Sequence, residues 1–506
     1  MILSAFANKV YDYCTDKELF VGVSCIVAGL SGGPDSVALI SVLKELHDNK
    51  RDFPAIAAVH VNHGLRKSAA DDEFLALSLC DRLKIPCKAY RYDVNAKARE
   101  MGRGLEETGR ILRYSAFSEY AAELSESMGF APETVRIATA HHKGDLTETF
   151  MMNLFRGSGL EGLTAMTSDP GIIRPLLEVS KSEILEYLEE KGIEYAIDET
   201  NLESDVTRNK WRNDILPQIA KVSVKTPEDA VFDTYSLLSQ DADYLSAAAR
   251  EAYEKSLVRE GGQFMLKTSD VLGLHRAIGT RAVRLLWQDT FGSLTDFETK
   301  HTDIVMGLMK LTVGTKSADM PFGRTAVVCN GLLGFYGEDG TSLACAMATF
   351  LGFPAAAEPF EYRINARDLV EGPKTYKIPC SDLVLTASVV ENTEAMVYNT
   401  FSWICPGEDL VIGLCPADGA FRKAGSPHQN RIRKLMSDLK VPKGAREHLL
   451  AVRSGEKILW IPGIGHHEGF VSSASRENWL TEEGNASVEK LIKLDIRNEG
   501  ETVETF

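Results

Sequence analysis

The chain reads as an α/β protein: a parallel-sheet domain at the N-terminus, a mainly helical middle and a small α+β C-terminal part. Three observations predict this. Up to about residue 217, short β-rich runs alternate with helical patterns, as when helices cover the faces of a parallel sheet. From 218 to about 300 the pattern turns helical. After about 345 it becomes short strands with Pro/Gly turns, broken by a basic segment around 428–440.

The predicted strands are Cys25–Leu30, Ala55–Asn62, Cys87–Tyr92 and Val135–Ala140. Helical stretches fall between them at about 35–47, 69–83, 105–126 and 145–155, after an amphipathic N-terminal helix in MILSAFANKVYDYC. A further helix near 180–192 opens on a capping box, Ser180 to Glu183, and stops at Gly192. Glu228–Arg259 reads as one long amphipathic segment, and 320–337 as a hairpin turning at Asn330-Gly331. The expected domains are 1–217, 218–345 and 346–506, the last ending in a frayed acidic tail.

At 506 residues the chain is too long for one core. No apolar run reaches the ~20 residues needed to span a bilayer, and the N-terminus lacks the apolar core of a cleavable signal, so a cytoplasmic protein without membrane contact is expected. Nine cysteines without a CxxC pair indicate neither a disulfide framework nor a zinc site. A net charge of −16 argues against indiscriminate nucleic-acid binding. Residues 422–446, however, carry eight basic side chains against Asp438 alone, which fits a solvated face or a local RNA-binding patch.

GLSGGPDS (Gly29–Ser36) joins the first strand to the first sheet helix. It is neither GxxxxGK[ST] nor GxGxxG. Pro34 suits the first helical position; Gly32 and Gly33 let backbone approach an anion; Ser31 and Ser36 offer hydroxyls. Asp35 would repel a bare phosphate but suits one carrying Mg²⁺. Taken alone, the string fits a capped βα turn as well as a phosphate cradle.

SGGPDS resembles the SGGxDS loop of the PP-loop ATP pyrophosphatase superfamily, which implies a doubly wound parallel sheet, ATP as co-substrate and release of pyrophosphate. HVNHGLR (His60–Arg66), LEETGRILRYSAF (Leu105–Phe117), TAHHKGDLTETF (Thr139–Phe150), RGSG (Arg156–Gly159), RPLL (Arg174–Leu177), DETN (Asp198–Asn201) and RNKWRNDILP (Arg208–Pro217) follow in order. Over 1–217 the chain closely resembles the tRNA(Ile)-lysidine synthetase family; the later helical part and the C-terminal KVP and ILWIPG segments fit more loosely. The resemblance implies ATP-dependent joining of free L-lysine to C2 of the wobble cytidine in a CAU anticodon, through an adenylated cytidine. Its implied ATP site is Ser31, Gly32, Gly33, Pro34, Asp35, Ser36, His60 and Arg113, with Mg²⁺ on Asp35. The implied catalytic residues are Asp35, Arg113, His142, Asp145 and Arg208, with Asp145 and Glu148 for lysine and Arg212, Arg431, Arg433 and Lys434 for tRNA. A homodimer is a family expectation.

Plainer roles stand beside these. His60 and His63 can simply cap a strand end; of His141 and His142, one is expected to point inward and the other into the cleft. Glu106 and Arg110 can be a helix pair, and Arg208 and Arg212 can pin a domain boundary. Gly144 stands where the family has aspartate and Leu146 where glutamine is common, so Asp145 or Glu148 must serve for the missing acid. Gly413, Cys415 and Pro416-Ala417-Asp418 stand where the family tends to show arginines before a GD pair. A cytidine thiolase of the same superfamily is disfavoured by the missing CxxC, and an amide-forming synthetase by the lack of room for a glutaminase ahead of the loop. A tRNA-binding paralogue without lysine ligation is the alternative that Gly144 raises.

Overall fold

The computed structural model describes residues 3–499 except 65–68, 168–170, 197–205, 312–313, 370–371, 380, 392–400, 405–408, 417–418, 424–425, 427 and 468–489. Leu65, Arg66, Asp198–Asn201, Ala417, Asp418 and the end of the acidic tail therefore lie outside the described residues. The chain divides into two compact units, Met1–Asp243 and Tyr244–Phe506.

In the first unit, helix α1 (Ala5–Asp16) begins on Ser4, whose hydroxyl accepts the Ala7 N–H. It is followed by β1 (Cys25–Gly29), α2 (Pro34–Asn49), β2 (Ala55–Asn62), α3 (Ala69–Leu83) and β3 (Cys87–Arg91). Then come α4 (Val94–Met101), α5 (Leu105–Met128), β4 (Val135–Ala138), α6 (Lys143–Phe155), α7 (Leu160–Leu163), β5 (Ile172–Ile173) and α8 (Lys181–Lys191). The strands lie parallel in the order β3-β2-β1-β4-β5. The four strands and the helices expected between them are present, with the Ser180/Glu183 box closing α8 at its start.

Side-chain alternation explains why β1 and β2 sit at the centre. Ile26, Ala28, Ile56 and Ala58 join α1, α2, α3, α6 and α8 in one core cluster. Cys25, Val27, Ala57 and Val59 join Phe117 and Tyr120 of α5 in the other. A strand apolar on both faces is stable only when helices cover both. The chain lays β2 and β3 on one side of β1 and then returns to place β4 and β5 on the other. The carboxyl ends of β1 and β4 thus flank a topological switch point, where open α/β sheets form a ligand crevice.

The first unit continues through α9 (Val206–Lys210), a π-helical turn (Trp211–Ile215) and α10 (Leu216–Ala220) into α11 (Pro227–Ser256). The division between units falls within α11. In the second unit, five antiparallel strands between Leu257 and Tyr336 form a sheet that packs with the helices Arg276–Phe291 and Thr299–Met309. Those strands stand beside the helices expected in this region, because 257–267 and 315–329 alternate over lengths too short to separate from helix by pattern. The Asn330-Gly331 hairpin is present, with both residues at positive φ, as a two-residue primed turn requires. Beyond it, a five-stranded and a four-stranded sheet share one core built on Leu385, Ile412, Val452, Trp460 and Leu494. Among the described residues, no helix is long and apolar enough to cross a membrane.

A Cβ on Gly29 would lie 2.6 Å from Cζ of Phe117, a ring 3% exposed at the heart of the α5 face. Gly29→Ala is expected to destabilise the first unit by about 1–3 kcal/mol through overpacking, and Phe117→Leu to recover part of that loss. Urea unfolding of both variants and the double variant checks this; additive losses would contradict it.

Candidate active site

The phosphate loop owes its shape to two glycines and two serines. Gly32 has φ +94°, a conformation open to glycine, and its carbonyl accepts the Ala196 N–H at 2.9 Å. Ser36 Oγ accepts the Ser31 N–H at 3.1 Å and donates to the Gly33 carbonyl at 3.0 Å, so this hydroxyl holds the turn instead of facing outward. Ser31 is exposed. Gly33 is the N-cap of α2 and has no side chain to cap it; Pro34 follows at the first helical position. The N–H groups of the first α2 turn are therefore left for an external acceptor, at the positive end of the helix dipole.

Loop, β2 end, α5, the β4 end and α8 enclose a cavity of about 1240 Å³. Asp35 lies on its wall, with Lys181 Nζ 2.5 Å from Asp35 Oδ1. Lys181 was not singled out by sequence reasoning. The available signal was a lysine in the first turn of a helix, where the dipole disfavours a cation unless an anion faces it.

His142 is buried (5% exposed) and caps α6: its Nδ1 accepts the Gly144 N–H at 3.0 Å, while its own N–H donates to Asp145 Oδ2 at 3.0 Å. With Nδ1 an acceptor, the ring proton belongs on Nε2, which lies 4.0 Å from Asp35 Oδ1 and 3.5 Å from Asp145 Oδ2. Gly144 has a local reason, since a Cβ there would stand 2.8 Å from the His142 ring. Both histidines of the pair border the cavity, where one was expected to point inward and the other into the cleft. His141 Nδ1 lies 2.9 Å from Thr139 Oγ1.

Asp145 and Glu148, one α6 turn apart, meet Arg208 and Arg212, one turn apart on α9 and the π turn. Arg208 places Nη2 3.1 Å from Asp145 Oδ1 and Nε 2.5 Å from Glu148 Oε2. Arg212 places Nε 2.5 Å from Glu148 Oε1 and Nη2 3.5 Å from Asp145 Oδ1. Glu148 is 2% exposed, so its charge requires this pairing. Burial would raise the Asp145 pKa, but His142, His141 and Arg208 together hold it below the usual carboxylate range. Arg208 and Arg212 are thus both engaged with carboxylates, and Arg212 also borders the cavity. The two acids are likewise not a bare anionic pocket.

Arg110, Arg113 and Tyr114 of α5, spaced to share one face of the helix, also line the cavity. Arg110 lies over the Tyr114 ring, 5.1 Å from its centroid. Among the described residues, Arg113 has no hydrogen bond or ion pair, which leaves its guanidinium for an anion. His60 is 3% exposed and bonds through Nδ1 to the Leu30 carbonyl at 2.8 Å, tying the β2 end to the loop; its Nε2 is then the acceptor. Glu73 of α3 accepts from Asn62 and from Arg91, whose guanidinium holds the Glu73 carboxyl down at about 2. That network fixes the strand ends that carry His60 and His63 into the cavity wall.

The PP-loop domain family matches residues 4–219, and the TilS substrate C-terminal domain matches residues 410–483. A tRNA(Ile)-lysidine synthase of Clostridium perfringens is 30% identical over 484 residues, 92% of this chain and 96% of that protein. The chain belongs to the tRNA(Ile)-lysidine synthase family. A member from Caldanaerobacter subterraneus subsp. tengcongensis is 28% identical over 450 residues, 88% of this chain and 90% of that one. Another, from Clostridioides difficile, is 34% identical over 319 residues, 62% of this chain and 67% of that one. Membership makes the protein an ATP-using enzyme of tRNA modification, with the cavity in its PP-loop domain.

In the second unit, Arg431, Arg433 and Lys434 are exposed at the start of the helix Ile432–Asp438, while Ile432 and Met436 anchor that helix in a core. Arg433 Nη2 lies 3.4 Å from Glu447.

Burial, then Arg113 and His60 nearby, push His63 down to about 4. Burial chiefly, opposed by Asp145 and aided by Arg174, Arg208 and Arg110, pushes His141 down to about 4. Both are neutral when folded at neutral pH and bind protons more readily unfolded, near 6.5. Their contribution to stability is complete above about pH 6.5 and declines as pH falls towards 4. The lowered carboxyls Asp145 and Glu73 lose theirs only below about pH 4. A His63→Gln, His141→Gln variant should therefore lose less stability than the parent between pH 7 and 5 in urea titrations; equal losses would refute the assignment.

Proposed function

We propose that the enzyme joins the ε-amine of free L-lysine to C2 of the wobble cytidine in a CAU-anticodon tRNA(Ile), in two steps at this cavity. The observation that carries the reading is one cavity bordered by free helix N–H groups, Lys181 and Arg113 for polyphosphate, beside the Asp145–Glu148–Arg208–Arg212 cluster.

In the first step the cytidine O2 attacks the α-phosphorus of ATP, the α–β bridging bond breaks, and pyrophosphate departs. Its developing charge is met by the α2 N–H groups, the Arg113 guanidinium and Lys181. Among the described residues, no group of three or more His, Cys, Asp or Glu could hold a metal ion. Asp35 alone suits a Mg²⁺ shared with the phosphates, which would spread charge off the leaving group. Lys181 then exchanges Asp35 for phosphate oxygens.

In the second step the lysine nitrogen attacks C2 and the C2–O bond breaks, releasing AMP with the former O2. The lysine ammonium gives one proton to the ionised Asp145, which passes it to solvent, and the freed amine then attacks. A second proton leaves the nitrogen by the same carboxylate once the C2–N bond has formed. Each oxygen of Asp145 and Glu148 already accepts from a guanidinium or from His142, yet a carboxylate oxygen can accept a second donor. The incoming ammonium is thus added to a neutral cluster, which fixes its geometry without trapping it.

Purified protein with ATP, Mg²⁺, labelled lysine and CAU-anticodon tRNA(Ile) should incorporate label; tRNA binding without incorporation would favour a paralogue that has lost catalysis. Asp35→Ala should lower pyrophosphate release by at least ~100-fold while tRNA affinity stays within about twofold, and unchanged turnover would contradict its role. Arg431→Ala with Arg433→Ala should weaken tRNA binding and reduce the salt slope by roughly one unit per lost phosphate contact. An unchanged slope would make that surface an ordinary solvated face.

A further inference from the structure

Helix α6 ends on Phe155, which is 72% exposed, and the π turn opens on half-buried Trp211. Their ring centroids are 5.3 Å apart with planes inclined at 37°. Neighbouring apolar side chains do not bury Phe155, so packing against Trp211 leaves most of that ring in water. Arg156 and Lys210 follow and precede the two aromatics and are exposed; among the described residues neither side chain has a hydrogen bond or ion pair. The π turn also connects this surface to the cavity, because Arg212, the next residue after Trp211, and Leu216 both line it. An extra residue per turn is what lets Trp211 face Phe155 while Arg212 reaches Glu148.

We propose that Phe155 and Trp211 form a stacking platform for an unpaired nucleobase of the RNA beside the target cytidine, with Arg156 and Lys210 on the flanking phosphates. The inference rests on the RNA-modifying reading above and adds to it how a loop is held while one base enters the cavity. Single-stranded RNA is recognised by bases splayed onto aromatic rings, and an exposed Phe155 ring packed on half-buried Trp211, with an exposed cation adjoining each in sequence, matches both its faces and its charge. A base turned into a cavity must leave its neighbours' stack, and a ring pair adjoining Arg212 of the cavity lining replaces the lost contact.

The test uses the full-length protein and an anticodon stem-loop RNA with a CAU loop, together with versions made abasic at one loop position at a time. Phe155→Ala and Trp211→Ala should each weaken RNA binding roughly 5- to 100-fold, Trp211→Phe should keep most of the affinity, and ATP binding should be unchanged in all three. One abasic position should weaken binding to the parent by a similar factor and cost Trp211→Ala nothing further. Alanine variants that bind RNA like the parent, or abasic losses that add in full to Trp211→Ala at every position, would overturn the platform. So would a parental dimer that the alanine variants dissolve, since a second copy would then cover the rings. If the parent binds no stem-loop at all, the RNA-modifying reading falls and this inference with it. Binding and modification by the parent with indifferent variants would remove the platform alone.

Discussion

The free N-terminus of α2 is the feature on which the rest of the site depends. A strand buried on both faces must end in a sharp turn, and here that turn ends at a glycine that cannot cap the following helix. Unsatisfied N–H groups at a positive dipole end are unfavourable until an anion arrives. Other features of the wall serve that anchor. Ser36 is spent inside the loop, Gly32 takes a left-handed conformation, and Ala196 ties the loop from above. Lys181 pairs with Asp35, so the charge of the one acid in the loop is neutralised beside the free N–H groups.

The second anchor is electrostatic. Two carboxylates on α6 and two guanidiniums on α9 and the π turn close into a ring of ion pairs next to the cavity. Placing four charges in one half-buried knot is costly for any one of them alone and tolerable only together. The knot also joins a segment distant in sequence to the helix that follows β4, so the wall is completed only when 206–216 docks. Gly144 belongs to the same economy of space: it gives up a side chain where the His142 ring must lie to cap α6 and present Nε2 to Asp35 and Asp145.

The acidic chain carries its positive charge locally. Arg113 and Lys181 face the cavity, Arg156 and Lys210 flank an exposed aromatic pair, and Arg431, Arg433 and Lys434 mark the second unit. A net charge of −16 repels polyanions at long range, so binding must be earned at short range, where such clusters act within a Debye length.

Much of this was legible without coordinates. The succession of short apolar runs and helical patterns up to residue 217, and the SGGPDS turn, determined the α/β class and the phosphate loop, because each is a local pattern. The Asn330-Gly331 hairpin and the Ser180–Glu183 capping box were legible for the same reason. The tertiary structure decided what is paired with what. It set Lys181 on Asp35, turned His142 into a helix cap, and bound Arg208 and Arg212 to Asp145 and Glu148. It also set Phe155 beside Trp211 and built the antiparallel sheet of 257–336. The ion pairs and the ring pair join residues scores of positions apart, and whether a charge is free or neutralised depends on the partner that folding brings to it, not on its neighbours along the chain.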